Sequence, residues 1–418
     1  MVTFITRYDG KLFLFTKICL LVYLAVLNPR HATVVSQLFF IFASSGTVLL
    51  WSANSKEFKR YREALISDPL FWGLLVLGVW GLVASLVSGL SFHDLDQELE
   101  VFRKIFLQGI FIYLVITYVC FRQNSVEMII IVLAAVGVIT CLDVFLSYAR
   151  GSIDILNRDA VKMLLHKNVH VNVISRQLNF LAPFSVIWVW NFGVRRGWGN
   201  WLLYVTVLLV LLASFFTISR AGWLGAVGGL FFLFVFARYR KLVALFLAAS
   251  LLIFGLTYGI SKDVRMHVAA LEQRLSDLSE RVPNWKVCLK AVSQRPVWGW
   301  GVYEEDTFHR MVRTVDGNDS KILKYPYSHN VFLQIALLWG VPFLLMLLSL
   351  FAYIYWKAWS ATRKEEFSYR LQWSAVVAAT VGSFWLNGFF SEMIWPYAFL
   401  AIAMASSLKA IEAEKKIL

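Results

Sequence analysis

The sequence predicts an all-α polytopic membrane protein with about 12 transmembrane helices and a helical loop domain between spans 9 and 10. Of its 418 residues, 59% are hydrophobic and only 16% are charged, whereas a soluble domain typically carries about 25% charged residues. The apolar residues fall in windows close to the roughly 20 residues that cross a bilayer. Basic residues follow every second short window, which is the positive-inside pattern. Lipid is therefore the solvent for much of this chain.

Twelve apolar windows account for the predicted spans. They fall at roughly 12–27, 34–52, 70–90, 105–121, 128–148, 177–193, 201–218, 222–237, 242–260, 329–356, 373–390 and 396–408. The basic loops follow the second, fourth, sixth, eighth and tenth windows, which places both termini in the cytoplasm. The first window lacks a small-residue cleavage site, so we expect an uncleaved helix there. Tryptophans at many span ends match an interfacial aromatic belt.

Two long loops, at 149–176 and 261–328, lie on the non-cytoplasmic side. Positive charge in long loops is not explained by topology, and the larger loop is heavily basic. From Val264 to Val282 its apolar residues recur every three or four positions, which predicts an amphipathic helix. A second short helix is expected from Asn284 to about Val292, ending before Pro296. Residues 298–301 (Trp-Gly-Trp-Gly) then predict a turn with its aromatics at membrane level.

Several protein classes are excluded or disfavoured by composition and motifs. The net charge of +14 forms no basic arm or stripe, so nucleic acid is not the expected partner. The four cysteines show no disulfide framework and no zinc spacing. No P-loop, dinucleotide fingerprint, nucleophile elbow or H-E-x-x-H motif is present. Nucleotide-driven chemistry is therefore not expected.

Three outward residues are candidates for chemistry. His329 ends the large loop where the tenth span begins, a place that suits a general base or an imidazole that only caps its helix. Arg220 interrupts two apolar spans on the outer side, where it binds an anion or snorkels to lipid headgroups. Arg281 ends the amphipathic stripe, where a solvated charged face is the alternative. From spacing alone these alternatives stay open.

The remaining outer polar residues have less distinct signals. Arg158 lies in the 149–176 loop among basic residues that favour an anionic ligand. His166 and His170 have helical metal-ligand spacing, but no carboxylate or cysteine partner accompanies them, so no metal site is predicted. Glu392 in the last outer loop orients His329 or pairs with an arginine, and the ion pair is favoured.

In their order and spacing, these residues resemble the O-antigen ligase and polymerase superfamily of bacterial envelope enzymes. The motifs are Arg220 followed by Ala-Gly-Trp-Leu, Arg281 with Trp285, the stretch 296–301, and Tyr-Ser-His-Asn at 327–330, which nine intervening residues separate from Gly340. Phe343 stands where the ligase pattern has a second glycine, which keeps a polymerase open. Topologically the resemblance covers the whole chain, and its motifs cover roughly 219–340.

The resemblance implies a metal-independent, inverting glycosyltransferase without cofactors. Its donor is a glycan on undecaprenyl diphosphate and its acceptor is lipid A–core, within the lipid of the bacterial inner membrane. His329 is then the general base on the periplasmic side, while Arg220 and Arg281 hold the diphosphate. Further substrate contacts are implied for the following residues: Arg158, Trp285, Lys321, Asn330 and Glu392.

The implied organisation has three parts. Residues 1–260 form spans 1–9 with the loop at 149–176, residues 261–328 form the helical, basic periplasmic loop, and residues 329–418 form spans 10–12 and a cytoplasmic C-terminus. The rival functions are an O-antigen polymerase, a ligase that glycosylates protein, and a lipid-linked glycan transporter. A membrane scaffold is disfavoured by the outward histidine and arginines.

Overall fold

The computed structural model describes most of the predicted spans and part of the large loop. The described residues are 9–26, 34–53, 55–92, 95–122, 126–150, 171–195, 199–217, 225–231, 278–301, 305–316, 328–364 and 395–414, with isolated positions between 222 and 269. These residues are helices and short turns without a strand. The all-α class is therefore confirmed for them.

Each helix with assigned bounds within the described residues carries a label in chain order. They are α1 (Asp9–Ala25), α2 (Val34–Ala53), α3 (Ser55–Ile66), α4 (Pro69–Phe92), α5 (Leu95–Phe102), α6 (Gln108–Arg122), α7 (Val126–Ala149), α8 (Val171–Arg195), α9 (Gly199–Phe216), α10 (Leu278–Gln294), α11 (Glu305–Asp316), α12 (Val331–Lys364) and α13 (Trp395–Glu414). A π-helix, Arg103–Leu107, joins α5 to α6.

Several of these helices suit a bilayer. Within the described residues, four segments are long and apolar enough to cross it: Pro69–Leu90, Leu95–Arg122, Met128–Ser147 and Val331–Ser360. A fifth candidate combines Gln37–Ser52 and Lys56–Ile66, which are bent by 111°. Several such segments in one chain are typical of a multi-pass membrane protein. The count of about twelve stays a prediction.

The helices α4 and α12 run antiparallel and organise the centre of the protein. At one level the Trp80 indole donates to the Trp339 carbonyl oxygen over 3.1 Å, and the Trp339 indole donates to Ser85 Oγ over 3.1 Å. At the far end of the pair, Lys357 Nζ lies 3.9 Å from Asp68 Oδ1. The start of α12, directly after His329, therefore lies at the Phe92 end of α4.

A buried polar cluster ties four elements together at the Asp68 end. Asp68 is 3% exposed, and its carboxylate accepts a hydrogen bond from Ser406 of α13. Ser406 Oγ also lies 2.8 Å from the Tyr113 hydroxyl of α6. With Lys357 beside it, the Asp68 carboxylate is paired, as a buried charge requires. The positive-inside pattern predicts that this end faces the cytoplasm.

The described part of the large loop folds against α12. We call α10, the turn after it and α11 the loop segment. Apolar side chains of the loop segment share a small core with Leu337 of α12: Cys288, Ala291, Trp300, Phe308, Met311, Val312 and Val315. The predicted helix end before Pro296 is confirmed, since α10 ends at Gln294.

The predicted division between two helices near Pro283 is wrong. Helix α10 continues through Pro283 from Leu278 to Gln294. Proline removes one backbone hydrogen bond, but Pro283 is exposed, where water can satisfy the carbonyl group that loses its partner. The apolar stripe upstream of Leu278 lies largely outside the described residues.

Candidate active site

His329 lies in a short turn that holds its backbone in a rare conformation. Its φ is +48°, and it is the one non-glycine residue with positive φ within the described parts of the chain. Side chains with a Cβ adopt this region at a cost of about 1–3 kcal/mol, and such residues cluster at functional sites. The His329 side chain is half-buried. The turn therefore presents the imidazole at a fixed position despite the conformational cost.

Hydrogen bonds on both sides of His329 maintain this conformation. Ser328 is 1% exposed, and its Oγ lies 3.0 Å from the Asn330 carbonyl oxygen and 3.1 Å from Gln334 Oε1. The same oxygen accepts the Asn330 N–H over 3.3 Å. Ser328 was not singled out from the sequence, although its position before the histidine was part of the motif.

Asn330, not His329, caps α12. Asn330 Oδ1 accepts the backbone N–H groups of Phe332 and Leu333 over 3.0 and 3.1 Å. These groups lack helical partners at the start of a helix, so an asparagine there satisfies them. The capping role that was the alternative for the His329 imidazole therefore belongs to Asn330. A substrate contact of Asn330 stays a prediction.

Helix α10 brings Arg281 towards the His329 turn. The Trp285 indole N–H donates to the Ser328 carbonyl oxygen over 2.9 Å. Arg281 lies one helical turn before Trp285, and residues four apart share a helix face. Arg281 is half-buried. The structure therefore brings the helix that carries Arg281 against the residue next to His329, and it gives Trp285 a positioning contact.

The turn at residues 296–301, which we call the tryptophan turn, docks where α12 is broken. Gly340 has the non-helical angles φ +85° and ψ 170°. Pro342 has no backbone N–H, so it cannot donate a helical hydrogen bond there. In an unbroken helix the Val341 N–H would bond to the Leu337 carbonyl oxygen. Here Val341 N–H donates to the Pro296 carbonyl oxygen over 2.7 Å, and Leu337 accepts Trp300 N–H over 2.6 Å.

Glycines and aromatic rings fit the tryptophan turn to the spans. A Cβ on Gly340 would collide with the Val297 carbonyl group, and one on Gly299 would lie 2.7 Å from the Leu337 carbonyl oxygen. The Trp298 ring stacks on Trp80 of α4 at 5.0 Å between centroids. The predicted turn at residues 298–301 is confirmed. Glycine is required at position 340 because the backbones of α12 and of the tryptophan turn approach too closely for a side chain.

Four of the predicted site residues cannot be placed. Arg158, Arg220, Lys321 and Glu392 lie outside the described residues, as do His166 and His170. Within the described residues no three histidine, cysteine or acidic side chains are grouped to hold a metal ion. The part of the site that can be placed therefore consists of the His329 turn, α10 and the tryptophan turn.

A comparison with protein families identifies this arrangement. Residues 205–348 match the model of a family described as O-antigen ligase. This segment is an O-antigen ligase family domain. The ligase-family domain includes most of α9, the whole loop segment, His329 and the broken part of α12. The resemblance predicted from the sequence is thus confirmed for this segment.

One curated relative is also similar to this chain. An uncharacterized protein of Haemophilus influenzae is 27% identical over 172 residues, which is 37% of this chain and 42% of the relative. The match thus spans less than half of that relative's length.

Proposed function

We propose that the protein is an inner-membrane O-antigen ligase. It transfers a glycan from undecaprenyl diphosphate to lipid A–core on the periplasmic side. The observation that carries this proposal is the His329 turn, where His329 has a positive φ between the hydrogen-bonded residues Ser328 and Asn330. The Ser328 carbonyl oxygen accepts the Trp285 indole N–H from the helix that also carries Arg281. Such a fixed imidazole beside an arginine helix suits general-base chemistry on a phosphate-bearing donor.

The proposed reaction is a single displacement at the anomeric carbon of the donor sugar. The acceptor hydroxyl oxygen forms the new bond to this carbon while His329 takes the hydroxyl proton. The bond from the anomeric carbon to the diphosphate oxygen breaks, so that undecaprenyl diphosphate leaves with both bonding electrons. Attack opposite to the leaving group inverts the anomeric centre.

The arginines stabilise the leaving group in this mechanism. Arg281 and Arg220 bind the diphosphate, whose negative charge grows as the glycosidic bond breaks. A guanidinium group suits this role because it is permanently charged and binds two phosphate oxygens at once. No metal ion, nucleotide or other cofactor is required, since the arginines supply the positive charge and the donor is already activated.

The loop segment supplies a cationic surface for the acceptor. Lys286 of α10 and Arg310 and Arg313 of α11 have exposed side chains, and their charge complements the phosphates of lipid A–core. In the proposal Arg158, Lys321 and Asn330 also contact substrate, and Glu392 pairs with one of the cations. Trp285 acts by positioning the histidine turn as well as by lining the site.

The test uses purified protein in detergent with lipid-linked glycan donor, lipid A–core and EDTA. Wild type is compared with His329→Ala and with His309→Ala, which changes a half-buried histidine of α11 instead. We expect glycosylated lipid A–core with wild type and the His309 variant, and none with the His329 variant. Donor binding without any bond formation in wild type would refute the enzyme and favour a transporter.

A polymerase is the second candidate, and Phe343 is the observation that favours it. Phe343 is fully buried and packs on Trp339 and Phe106, at 4.6 and 5.7 Å between ring centroids. The protein thus uses a large core side chain where the ligase pattern has glycine. In the same assay, growth of one donor glycan onto another, with lipid A–core unchanged, would establish the polymerase.

A further inference from the structure

Glu98 is a buried carboxyl group that the proposed reaction does not use. Its side chain is 1% exposed, and its Oε2 has no hydrogen-bond partner within the described part of the chain. Asp68, which is similarly buried, contacts both Lys357 and Ser406. Most buried polar side-chain atoms in proteins are hydrogen-bonded, so an exception requires an explanation.

The position of Glu98 places it at the His329 end of the molecule. Glu98 packs beside Gly89, which lies about 30 Å of helix beyond the Asp68 end of α4 at 1.5 Å per residue. Because α12 runs antiparallel to α4, the start of α12, next to His329, lies at the same end of α4 as Gly89. A π-helix follows α5 directly, and π-helical turns occur frequently at functional sites.

The tryptophan turn covers the Glu98 carboxyl group. A Cβ on Gly301 would collide with the carboxylate oxygens, and the Gly301 φ of +68° also favours glycine. The surface that closes over Glu98 is therefore backbone without a side chain. Movement of the backbone at Gly301 would expose the carboxyl group.

A purely structural role does not explain a glutamate at this position. The neighbouring Val101, one turn further along α5, is also buried but apolar. An apolar side chain at position 98 would fill the same space without the free-energy cost of burying an unpaired carboxyl group. Departures from such packing rules are expected at functional sites.

We propose that Glu98 binds a sugar hydroxyl group of the glycan on which the enzyme acts. A carboxyl group bonds to hydroxyl groups in either protonation state, because its oxygens accept hydrogen bonds and its protonated form also donates one. The hydroxyl group belongs to the donor glycan or to the acceptor glycan, and the chemistry is the same for both. The inference rests on the proposed function because it takes a glycan as the ligand. Glu98 makes and breaks no covalent bond.

The experiment compares Glu98→Gln and Glu98→Leu with Glu100→Gln. Glu100 is a matched control because it lies on the same helix, is half exposed, and pairs with Lys104 at 2.9 Å. Thermal unfolding is measured in detergent without ligand, with undecaprenyl diphosphate, with the lipid-linked glycan purified from the cells that make this protein, and with lipid A–core. Rates of glycan transfer are measured in parallel.

We expect the ligand-free Glu98 variants to unfold at the wild-type temperature or above it. The glycan-bearing donor should stabilise wild type more than undecaprenyl diphosphate alone, and the Glu98 variants should lose this difference. If the acceptor glycan is the ligand, they should instead lose the stabilisation by lipid A–core. In either case kcat/KM falls about tenfold, as for the loss of one hydrogen bond.

Two results would overturn the inference. Glu98 variants that keep the wild-type ligand stabilisation and transfer rate would show that the carboxyl group binds no sugar. A lower ligand-free unfolding temperature in the Leu variant would show that Glu98 has a structural role. Failure of the proposed function differs from both, because wild type itself would then transfer glycan to no acceptor.

Discussion

Replacing Gly340 by alanine should detach the tryptophan turn from α12. The backbone at Gly340, with φ +85° and ψ 170°, is almost restricted to glycine, and another residue there costs about 1–3 kcal/mol. The new Cβ would also collide with the Val297 carbonyl group. Relieving the collision breaks the bonds from Val341 to Pro296 and from Trp300 to Leu337.

The size of the effect follows from these contributions. Each broken hydrogen bond contributes about 0.5–1.5 kcal/mol, so the whole change is about 2–6 kcal/mol. A typical domain is stable by only about 5–15 kcal/mol, and the variant should therefore unfold at a clearly lower temperature. Hydrogen exchange of the Trp300 and Val341 amide groups should also become faster, because both lose their acceptors.

Gly10→Ala provides the control for this substitution. Gly10 lies in α1, and a Cβ there meets nothing within 4 Å, so alanine should leave stability unchanged or raise it by up to about 1 kcal/mol. Wild-type unfolding temperature and amide protection in Gly340→Ala would refute the account of the docked turn. Loss of protection in both glycine variants would point to a general loss of fold.

Three further predictions test single contacts. Trp285→Phe removes the indole N–H that donates to the Ser328 carbonyl oxygen, so kcat in the transfer assay should fall about tenfold with little change in KM. The control Trp356→Phe, at a 62% exposed site, should match wild type. A change in KM alone would contradict a positioning role for Trp285. Asn330→Ala should lower the free energy of unfolding by about 0.5–2 kcal/mol, and Asn330→Ser by less, because serine still caps α12. Equal unfolding temperatures of the two variants would contradict the capping role. Burial raises the pKa of the Cys288 thiol from 9.0 to about 12, so above pH 9 the thiol loses its proton in the unfolded state but keeps it in the folded state. Wild type should therefore lose stability relative to Cys288→Ala as the pH rises. An equal dependence of unfolding free energy on pH in both proteins, from pH 8 to pH 10.5, would contradict this.

The sequence was sufficient for the described helices and for the position of His329 directly before a span. Apolar windows such as those before and after Arg122 predict helices because lipid leaves the backbone no other way to satisfy its hydrogen bonds. The end of α10 before Pro296 followed from the steric restriction that proline places on its neighbour. His329 stood out because its motif follows those of Arg220 and Arg281 in the order and spacing of the ligase and polymerase superfamily.

The details of the site required the fold. The exchange of hydrogen bonds at Gly340 depends on a turn some forty residues earlier in the chain, and no local pattern shows which backbone will approach. Glu98 had a faint signal, since it lies three residues after Leu95 and three before Val101 on the apolar stripe of α5. The acidic residues around it, Asp96 and Glu100, give this segment the composition of a solvated surface.

The broken helix α12 has a consequence for how the protein is assembled. Inside lipid, a backbone group without a partner costs several kcal/mol, so α12 is incomplete as an isolated span. Its missing partners, Pro296 and Trp300, are synthesised before it and belong to the preceding loop. The loop must therefore dock before this span reaches its final form. Completion of this span and assembly of the candidate site are then coupled. A chain whose loop does not dock keeps backbone groups of α12 without partners inside the lipid.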